Sequence, residues 1–458
     1  MKHTDLRVIF DDAAYIGQEV TVCGWVRTSR DSKTMAFLEL NDGTTFRHLQ
    51  IVLDKSVITD PAPFLKLGTA LCVTGTLVQG AVQQGSVEIN AKELTVLGEC
   101  PSDYPLQKKR HTLEYLRTIP HLRVRSNTFN AVFRVRSVVS AAIHTYFQQN
   151  NYVYIHTPIL TSSDCEGAGE MFKVTTIGYS NEYKSEEEYY ANDFFGKKAS
   201  LSVSGQLEGE VAAMALGKIY TFGPSFRAEN SNTPRHVAEF WHVEPEVAFA
   251  DLTDIIGIAE DMIKFTINTV LEKCPDELAF FEKHFEAGLR EKLNAVATND
   301  FAVLDYTDAI EMLKKADVDF VYPVEWGCDL QTEHERYITE VVFKKPVFVT
   351  NYPKDIKSFY MKQNPDGKTV AATDLLVPGV GEIIGCSERE ADLTKLLAAM
   401  EAKGMSIEEY HDYHDLRKFG SAPHSGFGLG LERIIMYVTG VSNIRDVLLY
   451  PRTVGSIR

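Results

Sequence analysis

Lys218-Ile-Tyr-Thr-Phe-Gly-Pro-Ser-Phe-Arg-Ala-Glu-Asn230, followed after a polar run through His236 by Glu239-Phe-Trp-His-Val-Glu-Pro-Glu-Val-Ala-Phe249, decides how the chain is read. Two strand-like runs flank a loop holding Asn, Ser, Thr and Pro, a pattern for a strand, a long turn and a returning strand. Strand side chains alternate between faces. Phe240, His242, Glu244 and Glu246 therefore share one face of the returning run, and Trp241, Val243 and Val247 the other. Two carboxylates and an imidazole on one strand face suggest a pocket wall. A solvated strand face is the plain alternative, because charged positions are usually exposed.

Around this stretch lie 458 residues, enough for about three domains or fewer. Hydrophobic content of 44% and charged content of 24% describe an ordinary globular chain with ample core. No signal-peptide pattern is read, and no apolar run is long enough to span a bilayer, so no membrane association is expected. The seven cysteines are scattered without a Cys-x-x-Cys, which points to reduced thiols in a cytoplasmic setting and away from structural zinc. His411 and His414 are three apart, with no further ligands clustered nearby, and read as a solvated helix turn. A net charge of −16 looks unsuited to nucleic acid, but residues 1–110 carry 12 Lys and Arg against 13 Asp and Glu, a net of −1. The acidity sits in the remainder, so a local basic groove stays compatible with RNA.

Residues 1–100 carry strand-like runs at Glu19–Arg27, Thr34–Asn41, Arg47–Leu53, Ala70–Val78 and Val87–Leu97. Asn41-Asp42-Gly43 predicts a hairpin turn, and Lys55–Leu67 a short helical piece. Five strands with a helix between the third and fourth match an OB-fold. Alternation turns Ala36, Leu38, Leu40, Leu49, Ile51 and Leu53 inward. It leaves Met35, Phe37 and Gln50 outward, with Arg27 on the outer face of the first run and Arg30 and Lys33 in the loop after it. An outward aromatic beside an outward amide makes a stacking platform with a base-reading group. Phe37 alone could equally be a singly exposed apolar residue. Residues 101–125, with Cys100-Pro-Ser-Asp-Tyr-Pro at their start and Lys108-Lys-Arg-His111 after it, read as a linker. The basic cluster either faces an anionic partner or is simply solvated.

Ser126–Asn150 has helical periodicity, with Phe129, Val132, Phe133, Val135, Val138, Val139, Ala142 and Phe147 in an apolar stripe. It runs into Tyr152-Val-Tyr-Ile-His-Thr-Pro158. Ser163-Asp-Cys-Glu-Gly-Ala-Gly-Glu-Met-Phe172 carries two glycines and reads as mobile. Residues 178–197 form a polar, acidic surface excursion. Ser204-Gly-Gln-Leu-Glu-Gly-Glu210 follows. Asp251–Lys273 is amphipathic, and the rest of 251–350 reads as helices and strands with packing roles. Tyr352–Met361 reads as a strand bordering the pocket. Gly379-Val-Gly-Glu-Ile-Ile-Gly-Cys-Ser-Glu-Arg389 and His424-Ser-Gly-Phe-Gly-Leu-Gly-Leu-Glu-Arg433 complete the set. Glycines before a helix can mark a dinucleotide fold, but no early βαβ unit accompanies them here.

Phe226-Arg-Ala-Glu229 with Glu239-Phe240 resembles motif 2 of class II aminoacyl-tRNA synthetases. The helix, strand and Pro158 resemble motif 1 (about 126–160), and the glycine run into Arg433 resembles motif 3 (about 424–440), with motif 2 spanning about 218–249. Val22-Cys-Gly-Trp-Val-Arg-Thr-Ser-Arg30 through Phe37 to Gln50 resembles the anticodon-binding domain of the aspartyl, asparaginyl and lysyl subgroup. One motif would be weak; three in the correct order together with this domain are specific. The resemblance implies an α+β chain. An N-terminal OB-fold β-barrel (1–100) and a hinge (101–125) would lead to a class II synthetase catalytic domain (126–458), an antiparallel sheet flanked by helices.

Residue by residue, the resemblance implies that Arg227 grips the ATP α-phosphate, as a planar guanidinium can. Glu229, Phe240 and Gly430 join the ATP site. Arg433 would pack on adenine and contact the γ-phosphate. His236 lies near the phosphates or the tRNA acceptor end. Glu382 would hold Mg²⁺, with Gly385 and Cys386 departing from the metal and glycine patterns of some relatives. Arg227, Arg433 and Glu382 form the implied catalytic set. Glu166, on a loop that closes over the amino acid, would bind its α-ammonium. Gln206 and Arg389 would contact the amino acid. Glu244 would accept from a side-chain amide, with the α-ammonium as the rival partner. Aspartyl relatives usually carry Ser-Pro-Gln-Leu-x-Lys-Gln where Gly209 replaces the lysine. Losing that cation disfavours a carboxylate, and the run resembles bacterial-type asparaginyl enzymes. Phe37 would stack on the middle anticodon base, Gln50 would hydrogen-bond it, Arg30 would touch the same loop, and Glu88 would read the first base. The implied substrates are L-asparagine, ATP and tRNA(Asn), and motif 1 implies a homodimer. An aspartyl enzyme of relaxed specificity, an asparagine-forming enzyme without tRNA and a non-catalytic RNA-binding paralogue are the alternatives. Gly209, the OB module and the intact Arg227, Glu382 and Arg433 argue against them in turn.

Overall fold

The structure, a computed structural model, describes residues 2–80, 86–165, 170–178 and 183–457. The chain forms two units, Met1–Arg134 and Val135–Arg458. In the first, β1 (Glu19–Asp31), β2 (Met35–Asn41), β3 (Leu49–Asp54), β4 (Ala70–Gln79) and β5 (Val87–Gly98) close into a barrel in the order β1-β2-β3-β5-β4. All neighbours are antiparallel except β3 with β5. The alternation read from the sequence fills the interior: Val20, Val22, Val26, Ala36, Leu38, Leu40, Leu49, Ile51 and Leu53 all belong to one buried core. β1 borders both β2 and β4, and its pairing with β2 slips between Val26 and Thr28, a bulge that helps one strand serve two neighbours. At Gly75 a Cβ would stand 2.9 Å from Ala91 Cα and closer still to Asn90 O, so this strand crossing admits no side chain.

Here one local expectation holds in part, since β2 and β3 pair antiparallel across Asn41-Asp42-Gly43, and another fails. Asn41-Asp42-Gly43 opens a loop that runs to His48, so β3 starts at Leu49. The Asn41 amide holds that loop by donating to the carbonyls of Thr45 and Arg47, both at 2.9 Å, and Gly43 takes φ +84°. Lys55–Leu67 forms turns and a single 3₁₀ turn at Ala62–Phe64. Pro61 and Pro63 remove the N–H donors that a longer helix would need.

The second unit is built on β6 (Val153–Tyr154), β7 (Leu160–Thr161), β8 (Lys173–Val174), β9 (Ala199–Leu201), β10 (Lys218–Phe226), β11 (Glu239–Ala248), β12 (Ala302–Asp305), β13 (Val347–Thr350), β14 (Ala372–Val377), β15 (Gly381–Glu388) and β16 (His424–Gly430). Eight of them form a sheet ordered β12-β13-β14-β15-β16-β11-β10-β6, and β7-β9-β8 form a small second sheet. The large sheet is antiparallel from β13 to β10 and gains a parallel partner at each edge. The helix Leu252–Lys273 starts at a capping box between Asp251 and Asp254 and buries Ile255, Ala259, Ile263, Ile267 and Val270, one apolar stripe. The predicted long helix spans Asn127–Gln149, and its Phe147 ring stacks on Tyr220 of β10 with centroids 4.6 Å apart. Tyr352–Met361 is not a strand. Only single bridges at Pro353 and Met361 and a 3₁₀ turn at Lys354–Ile356 occur there.

Candidate active site

The β10–β11 hairpin pairs from Lys218 opposite Val247 to Phe226 opposite Glu239, as the opening stretch requires. Glu244 and Glu246 are 5% and 0% exposed, so the acidic face is a cavity wall and not a solvated edge. β11 lies between β10 and β16, and β16 continues into β15. This order brings three distant stretches of sequence onto one floor. Two glycines let the strands lie close under these side chains. A Cβ on Gly428 would stand 2.5 Å from His242 Nε2, and one on Gly426 would collide with the Glu246 carboxylate.

Arg227, Glu229, His236, Phe240, Glu382, Gly430 and Arg433 line one cavity. The Arg227 guanidinium lies 5.4 Å from the Phe240 ring centroid. Arg433 Nη1 donates to Glu382 Oε2 at 3.1 Å and to its carbonyl at 2.8 Å. Burial opposes charge on Glu382, but Arg433 and Lys357 outweigh it and hold the carboxyl below its ordinary range. Burial lowers the His236 pKa, and Arg433 adds to the effect. Glu432, almost fully buried, accepts from Trp241 N at 3.1 Å and from Arg136 Nη2 at 2.7 Å, which ties the helix Leu431–Thr439 to β11 just before Arg433.

A second cavity shares Arg227, His242, Glu382 and Gly428 with the first and is lined further by Gln206, Glu244, Glu246, Asp374 and Arg389. Glu244 accepts from Ser204 Oγ, from Gly205 N at 2.9 Å and from Thr221 Oγ1 at 3.1 Å. Burial opposes its charge, yet His242 and these donors bring its pKa down to about 2. Arg389, 4% exposed, spends Nε and Nη2 on Glu246 at 3.2 and 2.5 Å and Nη1 on Ser387 Oγ at 2.6 Å. Burial pushes the Glu246 carboxyl up, and Arg389 pulls it back down. Glu166 lies outside the described residues. Gly209 does not line the cavity; a Cβ there would touch Ile219 Cδ1 at 3.5 Å and Glu246 Cγ at 3.6 Å. Cys386 is buried and its thiol is pushed well up by that burial, a packing group and not a nucleophile.

The sequence reading left several charged cavity residues without a role. Glu246 was placed on the correct face but left without a partner. Asp374 and Lys357 pair at 2.6 Å inside the second cavity. Asp374 sits in an apolar strand, Ala372–Val377, where a single acid was the available signal. On the barrel, Arg30 stands opposite Phe37, and Gln50 opposite Glu88, on the neighbouring strands. Gln50 Nε2 donates to Glu88 Oε2 at 2.7 Å. Arg30 is exposed and the other three are partly exposed, and the four form a strip across β1, β2, β3 and β5.

The family described as tRNA synthetases class II (D, K and N) matches residues 112–454, three quarters of the chain. The chain is a class II tRNA synthetase of this D, K and N family. The description OB-fold nucleic acid binding domain matches residues 20–97 of the same synthetase. Relatives named asparagine–tRNA ligase include one from Acetivibrio thermocellus, 56% identical over 100% of this chain and 99% of its own length. Another, from Alkaliphilus oremlandii, is 57% identical over 96% of each. Among solved structures, the Pyrococcus horikoshii asparaginyl-tRNA synthetase complexed with asparaginyl-adenylate is 33% identical, with a TM-score of 0.88 over 100% of this synthetase and 99% of that chain.

Proposed function

We infer that this synthetase joins L-asparagine to tRNA(Asn) through an asparaginyl-adenylate. One observation carries the reading beyond the family. Two cavities that share Arg227, His242, Glu382 and Gly428 offer Arg227, Phe240 and Arg433 at one end and the Arg389–Glu246 pair at the other. The first end suits a nucleotide triphosphate, with an aromatic face for the base and guanidiniums for the phosphates. The second suits a small polar side chain, and full-length relatives named asparagine–tRNA ligase select asparagine.

In the first step the asparagine carboxylate attacks the α-phosphorus of ATP, and pyrophosphate leaves. In the second, the terminal ribose hydroxyl of the tRNA attacks the acyl carbon, and AMP leaves. Arg227 and Arg433 hold the phosphates in line and neutralise charge that builds on them; no covalent enzyme intermediate is needed. Glu382 and Asp374 flank Gly385, lying 3.4 and 3.6 Å from where its Cβ would be. Hard oxygen donors beside a position without a side chain fit Mg²⁺, and Glu382 and Asp374 would hold it. When bound, the ion supplies further charge neutralisation to the phosphates. Arg389 would donate to the side-chain amide oxygen. Glu244 is already filled by protein donors, so Glu246, beside Arg389, is the better acceptor for the amide nitrogen. Glu166 would meet the α-ammonium, and Gln206 would contact the amino acid. Phe37, Gln50, Arg30 and Glu88 would receive the anticodon loop. Val153, Ile159 and Leu160 expose apolar surface in the motif 1 segment, which supports a homodimer. Among the described residues no helix is long and apolar enough to cross a membrane, and none of the seven cysteines is in a disulfide; reduced thiols support a cytoplasmic setting.

ATP–pyrophosphate exchange without tRNA, asparagine against aspartate, tests the reading. Exchange with asparagine alone is the expected result. Exchange with aspartate would assign an aspartyl enzyme of relaxed specificity, and exchange with neither would favour a non-catalytic RNA-binding role.

A further inference from the structure

Arg389 does not stand alone at the end of the second cavity. Behind it sits Glu210, 0% exposed and outside the cavity lining. It lies on the helix Gln206–Leu216, four residues after Gln206 and hence on the same face. Its Oε1 accepts from Gln206 Nε2 at 3.0 Å, and its Oε2 accepts from Arg417 Nη2 at 2.7 Å and lies 2.8 Å from His424 Nε2. The Tyr413 hydroxyl lies 2.8 and 2.9 Å from the two oxygens, and Arg389 Nε lies 4.0 Å from Oε1. A carboxylate this far from water stays ionised only with such partners. Burial works against its charge, and Arg417, His424 and Arg389 outweigh burial, holding its pKa well below the ordinary range.

Two consequences reach the cavity. A carboxylate can only accept, so Gln206 must turn its NH₂ to Glu210 and give it one N–H, which leaves the carbonyl oxygen and a second N–H. That oxygen is an acceptor, suited to N–H donors and unsuited to a carboxylate. Arg389, meanwhile, faces two buried carboxylates, Glu246 in direct contact and Glu210 at 4.0 Å. An incoming side chain meets a charge-compensated donor and not a bare cation. A side-chain carboxylate would arrive with a negative charge that the site has already balanced, whereas an amide brings none.

We propose that Glu210 is a positioning residue that sets side-chain specificity: it turns Gln206 and, together with Glu246, offsets the charge of Arg389, so that the cavity takes a neutral amide and refuses a carboxylate. This role presupposes that the cavity holds the amino-acid side chain. Glu210→Gln keeps the shape and removes the charge. In ATP–pyrophosphate exchange the variant should show an asparagine KM raised about ten-fold and an ATP KM little changed. Its preference for asparagine over aspartate should fall about ten-fold or more. A merely structural role would depress exchange with both amino acids together, so an unchanged preference in the folded variant overturns the proposal. If Glu210→Gln does not fold, the double variant Glu210→Gln/Arg417→Met removes both members of the ion pair and leaves no orphaned charge. The same loss of preference is expected there, and an unchanged preference again overturns the role. Wild-type exchange that ignores asparagine would instead overturn the assignment of the cavity, and the Glu210 role with it.

Discussion

Arg227 is the one guanidinium among the four described residues that line both cavities, a position where nucleotide and amino acid would meet. Replacing it with Ala should reduce ATP–pyrophosphate exchange by about 10²-fold or more, the scale for losing one charged donor to a transition-state oxygen; retained exchange would refute the phosphate role. Glu335, which also lines the second cavity, shows how the site registers pH. Burial pushes its carboxyl up to about 7, against the pull of Arg235, whose Nη1 lies 3.1 Å away. A carboxyl whose folded pKa is raised holds its proton more tightly when folded. Its contribution to stability is complete below the ordinary carboxyl range and is lost as pH rises through about 7. Wild type should therefore lose roughly 1–3 kcal/mol relative to Glu335→Gln between pH 5 and pH 8. Urea unfolding of both proteins at the two pH values checks this, and a constant difference would refute it.

At the scale of elements, the β10–β11 hairpin was legible because alternation is a local property of the chain. So was the barrel, whose inward residues repeat every second position. The outward strip was legible for the same reason: once Leu38 and Ile51 point in, Phe37 and Gln50 point out. Phe37→Ala should weaken tRNA binding by about 1–3 kcal/mol while leaving adenylate formation intact, the cost of one lost base stack. Aminoacylation KM for tRNA, read beside exchange activity, decides it; an unchanged KM would remove the stacking role. Lys55–Leu67 and Tyr352–Met361 were misread where prolines and tertiary bridges override local propensity. The second segment still supplies Tyr352, Lys357 and Tyr360 to the cavity, positioned by neighbouring strands and not by a ladder of its own.

For the whole molecule, the expected assembly is a homodimer. β6 is a two-residue edge of the large sheet, and Val153, at 42% exposure, sits on it with Ile159 and Leu160 nearby in sequence. Apolar surface at a sheet edge calls for a cover. Light scattering should report the mass of two chains at micromolar concentration, and Val153→Asp with Ile159→Asp should shift it toward one. A wild-type monomer would refute the motif 1 interface.

By itself the sequence determined the strand and helix periodicities, the order of the motifs and therefore the family, because each depends on residues close together in the chain. The resemblance carried by those motifs also put Arg227, Phe240, Glu382 and Arg433 in one implied site, and the fold brings them to one cavity. Only the tertiary structure decided which charges meet. Glu246 finds Arg389 across 143 residues, and Glu210 finds His424 across 214. No local pattern encodes such pairings. They follow from the sheet order, which brings β11, β15 and β16 side by side and excludes water from the groups between them, and in that dry space a carboxylate must take whatever cation the fold puts within reach.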